Sequence, residues 1–265
     1  MNKKNLFSLI GKNILLTGAT GHLGKPIALE LAQAGANVLI NSRSKKNCLE
    51  LVNSIKSKNL KAEIAAFDVT NKSSILKFAN KRSDLPIDCL INNAYSGEGG
   101  TIESSNSKSY LKSYNLSVIS AHNLTSSLLK NFRLAVKKSG DASIINIASM
   151  YGLVSPDLSL YRSAKTSNPP FYGTAKAALL QWTKYAACEF GSEKIRVNAI
   201  SPGAFPSILV QKKSPSLLKK LNNKIPLGRI GQPKEITGLV VMLASGAATY
   251  ITGANITLDG GWTCW

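Results

Sequence analysis

Apolar residues gather into short runs spaced along the chain: "NILLT" at 13–17, "NVLIN" at 37–41, "AEIAAF" at 62–67, "CLINN" at 89–93, "SIINIAS" at 143–149, "IRVNAIS" at 195–201 and "ANITLD" at 254–259. Most are too uniformly apolar for a sheet with one wet face, so they predict a parallel sheet covered by helices on both sides. The stretches between them are amphipathic and long enough for right-handed crossovers. One aligns Leu23, Ile27 and Leu31; a second carries a helical period through Leu111, Tyr114, Val118, Ala121, Leu124, Leu128 and Phe132; a third does so through Ala175, Leu179, Trp182, Ala186 and Phe190. No internal repeat and no Pro/Gly/Ser-rich linker divides the 265 residues. The pattern therefore predicts one doubly wound α/β domain.

Composition narrows the setting. At 44% hydrophobic residues the chain reads as soluble and globular, and no apolar run approaches the ~20 residues of a membrane-spanning helix. The apolar patch near the start is too short for a signal-peptide core, so a cytoplasmic location with no membrane partner is expected. Cys48, Cys89, Cys188 and Cys264 lie far apart with no Cys-x-x-Cys, which predicts free thiols and no metal site. The net charge of +19 invites a nucleic-acid reading, but the lysines are spread along the whole chain without aromatic interleaving. A solvated Lys-rich surface is the better account, no nucleic-acid partner is expected, and an anionic substrate is compatible with either.

The first crossover carries candidate chemistry. The first strand runs into Gly18, Gly21 and Gly24 and then a helix with Pro26 in its opening turn. Glycines there let the backbone approach a pyrophosphate, and the free N–H groups of the helix stabilise its charge, so a dinucleotide site is predicted, with Thr20, His22 and Leu23 in the same loop. A tight strand-to-helix turn in an enzyme of another kind would look similar. Beyond the second strand an acidic residue would bind the adenine-side ribose, but the chain has Ser42 and then Arg43, whose guanidinium suits a 2′-phosphate. NADP is thus favoured over NAD, with a merely solvated Arg43 as the other reading. After the third strand, Asp68 with Val69 is placed to meet the adenine, although Asp there is also an ordinary helix N-cap.

With "LINNA" at 90–94, "NIAS" at 146–149, two Tyr-x-x-x-Lys pairs, "IRVNAISPG" at 195–203 and "LDGG" at 258–261, the chain resembles the compact single-domain branch of the short-chain dehydrogenase/reductase family, from about residue 11 to 261. The resemblance implies a seven-stranded Rossmann fold and hydride transfer between a nicotinamide cofactor and an alcohol or carbonyl. It carries Asn92, Asn93 and Ala94 onto an adenosine-side motif in which Tyr95 replaces a Gly, and Pro202 and Gly203 onto the loop near the nicotinamide. The glycine spacing looks more like the family's extended, sugar-nucleotide branch, which is normally much longer. "NNAY", the long segment after Ser149 and the ending "DGGWTCW" look similar to a bacterial subgroup associated with surface-polysaccharide and flagellin sugars, which suggests a sugar or sugar-nucleotide substrate.

The two Tyr-x-x-x-Lys pairs are Tyr161 with Lys165 and Tyr172 with Lys176. Counted from Ser149, the family's spacing favours Tyr161; counted back from Asn198, it favours Lys176. Helix physics separates them. The chemistry needs both side chains on one face of a helix that continues past the Lys, and Pro169 and Pro170 would end any helix carrying Tyr161 within about one turn. Tyr172 and Lys176 are therefore the predicted pair, and residues 152–171 an inserted substrate-side loop. The resemblance makes Tyr172 the general acid/base, Ser149 a hydrogen-bond donor to the reacting oxygen, Lys176 a group that lowers the Tyr172 pKa and holds the nicotinamide ribose, and Asn115 the anchor of a water relay. Tyr95, Ser149, Tyr161 and Tyr172 are the expected substrate contacts. Neither His22 nor His122 has a partner for His-based catalysis.

Trp262 and Trp265 are expected as anchors at a neighbouring subunit in a homodimer or homotetramer. Two other function classes remain open: a non-catalytic dinucleotide-binding sensor or scaffold, against which the intact proton-transfer set argues, and a nucleotide-sugar epimerase or dehydratase.

Overall fold

The computed structural model describes residues 5–163 and 166–264. All seven predicted strands form: β1 (Asn13–Leu16), β2 (Asn37–Ile40), β3 (Ala62–Ile64), β4 (Cys89–Asn92), β5 (Ala142–Ile147), β6 (Ile195–Pro202) and β7 (Asn255–Leu258). They pair in parallel in the order β3-β2-β1-β4-β5-β6-β7. The order reverses direction between β1 and β4, and at such a switch point the connections leave to opposite faces and open a crevice at the strands' carboxyl ends.

The uniformly apolar runs are explained by two cores. Ile14 and Leu16 of β1 and Val38 and Ile40 of β2 face α1 (Gly24–Gln33), α2 (Lys45–Lys56) and α10 (Glu235–Ala244), among Ile27, Leu31, Val52 and Val240. Leu15 and Leu39 point the other way, into a cluster with Ile75 of α3 (Lys72–Lys81), Leu124 of α5 (Ser120–Ser127), Phe132 of α6 (Leu129–Ser139) and Ala186 of α7 (Pro170–Phe190). Both alternating faces of the five inner strands are buried, so alternation disappears from the sequence there; the edge strands β3 and β7 are only partly covered.

One predicted stripe breaks. Val118, Ala121, Leu124, Leu128 and Phe132 are buried, but Leu111 is 70% and Tyr114 45% exposed, while Ser113 turns inward. Between α4 (Ser107–Tyr114) and α5 the chain makes a π-helical turn, Asn115–Ile119. Such a turn takes in an extra residue, so the apolar phase slips across it.

The 152–171 segment begins at the end of a 3₁₀ turn (Met150–Gly152) and includes another (Leu158–Leu160); among its described residues Val154, Leu160 and Tyr161 pack against α9 (Pro215–Lys224), which follows the short α8 (Ile208–Lys213). Arg162 donates to Ser216 Oγ at 2.8 Å, Lys220 to the Ser159 carbonyl at 2.8 Å, and Lys224 pairs with Asp157. Trp262 is not a surface anchor: it is buried in an apolar cluster with Met150, Leu160, Leu221, Ile225 and Ile230. Trp265 and Lys165 lie outside the described residues. No described helix is long and apolar enough to cross a membrane. The cysteines are free, and no metal-binding cluster of His, Cys, Asp or Glu occurs among the described residues.

Candidate active site

A cleft of about 590 Å³ opens over the carboxyl ends of the strands. Its lining includes Gly18, Thr20, Gly21, His22, Leu23, Ser42, Arg43, Asp68, Val69, Asn93, Ala94, Tyr95, Asn115, Ser149, Tyr172, Lys176, Pro202 and Gly203. Residues far apart in sequence thus share one wall because seven parallel strands end on the same side.

The glycine loop is held by the end of β4. Thr17 Oγ1 accepts from the Asn93 and Ala94 amides at 2.9 and 3.1 Å, and Asn93 Nδ2 donates to the carbonyls of Thr17 and Gly18 at 3.0 and 3.1 Å. Gly18 has φ +61°, and a Cβ there would stand 2.8 Å from Ala94 Cα. At Gly24 a Cβ would fall 2.2 Å from the Gly18 carbonyl oxygen, so helix and loop touch backbone to backbone. Gly21 differs: a Cβ would meet only the Gly18 carbonyl oxygen, at 3.2 Å, and otherwise project into open space. Leu23 gives α1 no side-chain cap. An uncapped helix start beneath an open glycine fits a pyrophosphate.

Arg43 lines the cleft exposed, with no hydrogen bond or ion pair among the described residues. Beside it the Ser42 hydroxyl is tied to the Ser44 carbonyl at 3.0 Å. Asp68 is not a helix cap: Asn71 caps α3, while Asp68 Oδ1 accepts from the Thr70 amide and hydroxyl at 2.8 and 2.7 Å.

At the other end, Ser149 is buried and its Oγ accepts from the Tyr151 amide at 3.2 Å, which leaves its proton to be donated into the cleft. Tyr172 sits in the first turn of α7, with Pro169 as its N-cap and Pro170 as its first residue. Lys176, one turn on, is buried and donates to the Ile147 carbonyl at 2.7 Å. Burial raises the Tyr172 phenol to about 12, with the Ser149 hydroxyl opposing, and lowers the Lys176 ammonium to about 7. The expected lowering of the Tyr172 pKa is thus not what this pocket produces by itself: removing both groups from water disfavours both charged forms.

Tyr161 is extended at the end of its 3₁₀ turn rather than helical, and it does not line the cleft. Its hydroxyl lies 3.1 Å from that of Tyr151. Asn115 opens the π-turn and faces the cleft. His22 lines the cleft exposed, and His122 is exposed on α5.

Several site residues escaped sequence reasoning. Asn41, Phe67, Thr70, Ser96, Lys112, Leu116 and Phe205 also line the cleft. Asn41 had a signal, a polar residue closing an apolar run; it is buried and donates to the carbonyls of Ala65 and Phe67 at 2.7 and 3.1 Å. Gly152 and Gly173 had none. A Cβ on Gly173 would lie 2.6 Å from the Tyr151 carbonyl oxygen, and one on Gly152 would lie 3.0 Å from the α7 backbone. These contacts set the distance between the Ser149 turn and the helix carrying Tyr172 and Lys176.

A parallel seven-stranded sheet with a glycine loop after β1 and a Ser, Tyr and Lys set at its carboxyl edge defines a dinucleotide-binding oxidoreductase fold. The chain belongs to the short-chain dehydrogenase/reductase family, as an oxidoreductase of its compact single-domain branch. The family model described as enoyl-(acyl carrier protein) reductase matches residues 18–263. The chain is similar to the rhamnolipids biosynthesis 3-oxoacyl-[acyl-carrier-protein] reductase of Pseudomonas aeruginosa, at 33% identity over 96% of this chain and 97% of the relative. A tropinone reductase homolog of Arabidopsis thaliana is 30% identical over 99% and 96%. Among solved structures, the Pseudomonas aeruginosa RhlG/NADP active-site complex superposes with a TM-score of 0.87 at 31% identity, covering 97% of this chain and 98% of that one.

Proposed function

We propose that this protein interconverts a secondary alcohol and a ketone using NADP(H), with Tyr172 as general acid/base. The observation that carries the reading is the placement of Tyr172 and Lys176 one turn apart on α7, with Ser149 opposite, in the cleft that Gly21 and Arg43 also line. Gly18, Thr20, Gly21, His22, Leu23 and Gly24 would receive the pyrophosphate, Asp68, Val69, Asn93 and Ala94 the adenosine half, and Pro202 and Gly203 the nicotinamide side. Arg43, exposed and unpaired among the described residues, supports NADP over NAD. Residues 152–171 are read as the substrate-side insertion of a single domain spanning the chain.

When bound, the nicotinamide supplies or accepts the hydride. In reduction, Ser149 donates a hydrogen bond to the substrate oxygen and Tyr172 gives it a proton. Lys176, as an ammonium, favours the phenolate that remains and would hold a ribose hydroxyl; it returns a proton to Tyr172, and Asn115 anchors the path by which Lys176 then recovers one from solvent. In oxidation Tyr172 starts as the phenolate and takes the proton from the alcohol.

For the substrate, we infer an anionic carbonyl compound, a sugar or sugar nucleotide. The segment from residue 207 to 229, which follows the cleft-lining Phe205, contains no Asp or Glu and carries six cations, of which Lys224 pairs with Asp157 and Arg229 with Glu235, while Lys212, Lys213 and Lys219 have no carboxylate partner among the described residues. A second reading, a 3-oxoacyl thioester, is favoured by the exposed Ile208, Leu209 and Val210 on α8 and by the relative named for that reaction. The exposed Tyr110, Leu111, Tyr114 and Tyr185 of α4 and α7 support a homo-oligomer. A cytoplasmic setting is consistent with the free thiols.

The test begins with titrations of purified protein by NADPH and NADH, followed by reduced-nicotinamide fluorescence, and continues with NADPH oxidation on keto-sugars, sugar nucleotides and 3-oxoacyl thioesters. Selective NADPH binding is expected. Tyr172→Phe should lower turnover by at least ~10³-fold while cofactor affinity stays within about threefold, and Tyr161→Phe should keep measurable turnover. The reverse pattern in the two variants would overturn the assignment.

A further inference from the structure

Tyr95 occupies the position where the family motif has Gly, and its ring packs directly on the proposed catalytic pair. The ring centroid lies 4.8 Å from that of Tyr172, edge to face at 67°, and 5.1 Å from Lys176 Nζ, closer than the Tyr172 ring itself at 5.7 Å. Its hydroxyl is 3.0 Å from Ser113 Oγ, a residue buried because the π-turn shifts the phase of α4. Gly97 makes room for it: a Cβ there would stand 3.0 Å from the Tyr95 hydroxyl oxygen.

We propose that Tyr95 is a positioning residue that keeps Lys176 in its ammonium form by presenting a ring face to Nζ, and that holds the Tyr172 ring in place by its edge-to-face contact. The inference rests on the reading of Tyr172 and Lys176 as the catalytic pair. A buried ammonium with one carbonyl acceptor and no carboxylate partner loses its charge readily. The groups facing the pair are Tyr172 on its own helix, Tyr95 after β4, Ser149 and the Ile147 carbonyl at the end of β5, and Asn115 and Lys112 lining the cleft from the α4 side. None is acidic, so the electron-rich faces of the two aromatic rings are the charge-stabilising groups available besides the carbonyl. Burial raises the Tyr95 phenol, with Ser113 opposing, so the ring stays neutral through the working range.

The test reads Lys176 directly, on substrate-free protein. The ¹³Cε resonance of Lys176, assigned by its loss in Lys176→Met, is titrated in wild type, Tyr95→Phe and Tyr95→Leu. Tyr95→Leu should lower the Lys176 midpoint by about one pH unit, a tenfold loss of ammonium at a given pH. Tyr95→Phe should shift it by less than about 0.3 units, because the ring face is retained. Tyr95→Met, flexible and without a ring face, replaces the Leu variant if that one unfolds. An unchanged or raised midpoint on removing the ring overturns the proposal, as does an equal drop in Tyr95→Phe, which would assign the effect to the Ser113 hydrogen bond. Failure of the catalytic reading would appear separately, as retained turnover in Tyr172→Phe.

Discussion

Lys176 shows what a buried ammonium costs the protein that carries it. Burial lowers its pKa from the ordinary 10.5 to about 7, so between those values the unfolded chain holds a proton that the folded chain lacks. Stability therefore rises with pH through that window. Below pH 7 both states are charged, and the folded protein bears the full penalty of a buried ammonium. Lys176→Met should accordingly melt higher than wild type at pH 6, by on the order of 2 kcal/mol, offset in part by the stranded Ile147 carbonyl. The gap should shrink toward pH 10; a gap in melting temperature that does not vary with pH would contradict the assignment.

Among elements, the decisive junction is that of the Ser149 turn with α7. Gly173 admits the Tyr151 carbonyl and Gly152 admits the α7 backbone, so the two backbones approach with no side chain between them. Gly173→Ala would push the turn away from the helix. We expect a loss of about 1–3 kcal/mol in denaturant unfolding and at least a tenfold drop in kcat, with cofactor affinity changed less than about threefold. Wild-type kcat in this variant would show that the close approach is incidental. The π-turn at Asn115 is a second element-scale feature. A helical period read as continuous through Leu111 and Val118 places both in the core, whereas the extra residue leaves Leu111 exposed and turns Ser113 toward Tyr95.

On the scale of the whole molecule, the sheet separates chemistry from anchoring. The cleft lies at the carboxyl ends of the strands. At the opposite edge Arg196, at the start of β6, is buried and donates twice to Asp141 Oδ2 at 3.1 Å, and Lys12 joins the same carboxylate at 3.3 Å. Asp141→Ala would leave the Arg196 guanidinium buried with only carbonyl partners and should destabilise by about 3 kcal/mol. With the full length of the strands between the two ends, its cofactor dissociation constant should match wild type; a tenfold weakening would show that the two ends of the sheet are coupled.

The fold was legible in the sequence because both faces of the inner strands of a parallel sheet are buried, and seven mostly apolar runs separated by amphipathic stretches leave few other arrangements. The glycine turn after β1 and the start of α7 at Pro170, which puts Tyr172 and Lys176 on a helix and leaves Tyr161 outside it, were legible for a local reason, since glycine and proline constrain the backbone wherever they occur. Tertiary structure alone decided that Tyr95 faces Lys176, that Gly173 receives the Tyr151 carbonyl, that Asn115 opens a π-turn, and that Trp262 lies in an apolar cluster rather than on the surface. The Tyr95, Gly173 and Trp262 contacts depend on the approach of segments separated in sequence, and local residue type carries no record of which partner the folded chain will bring.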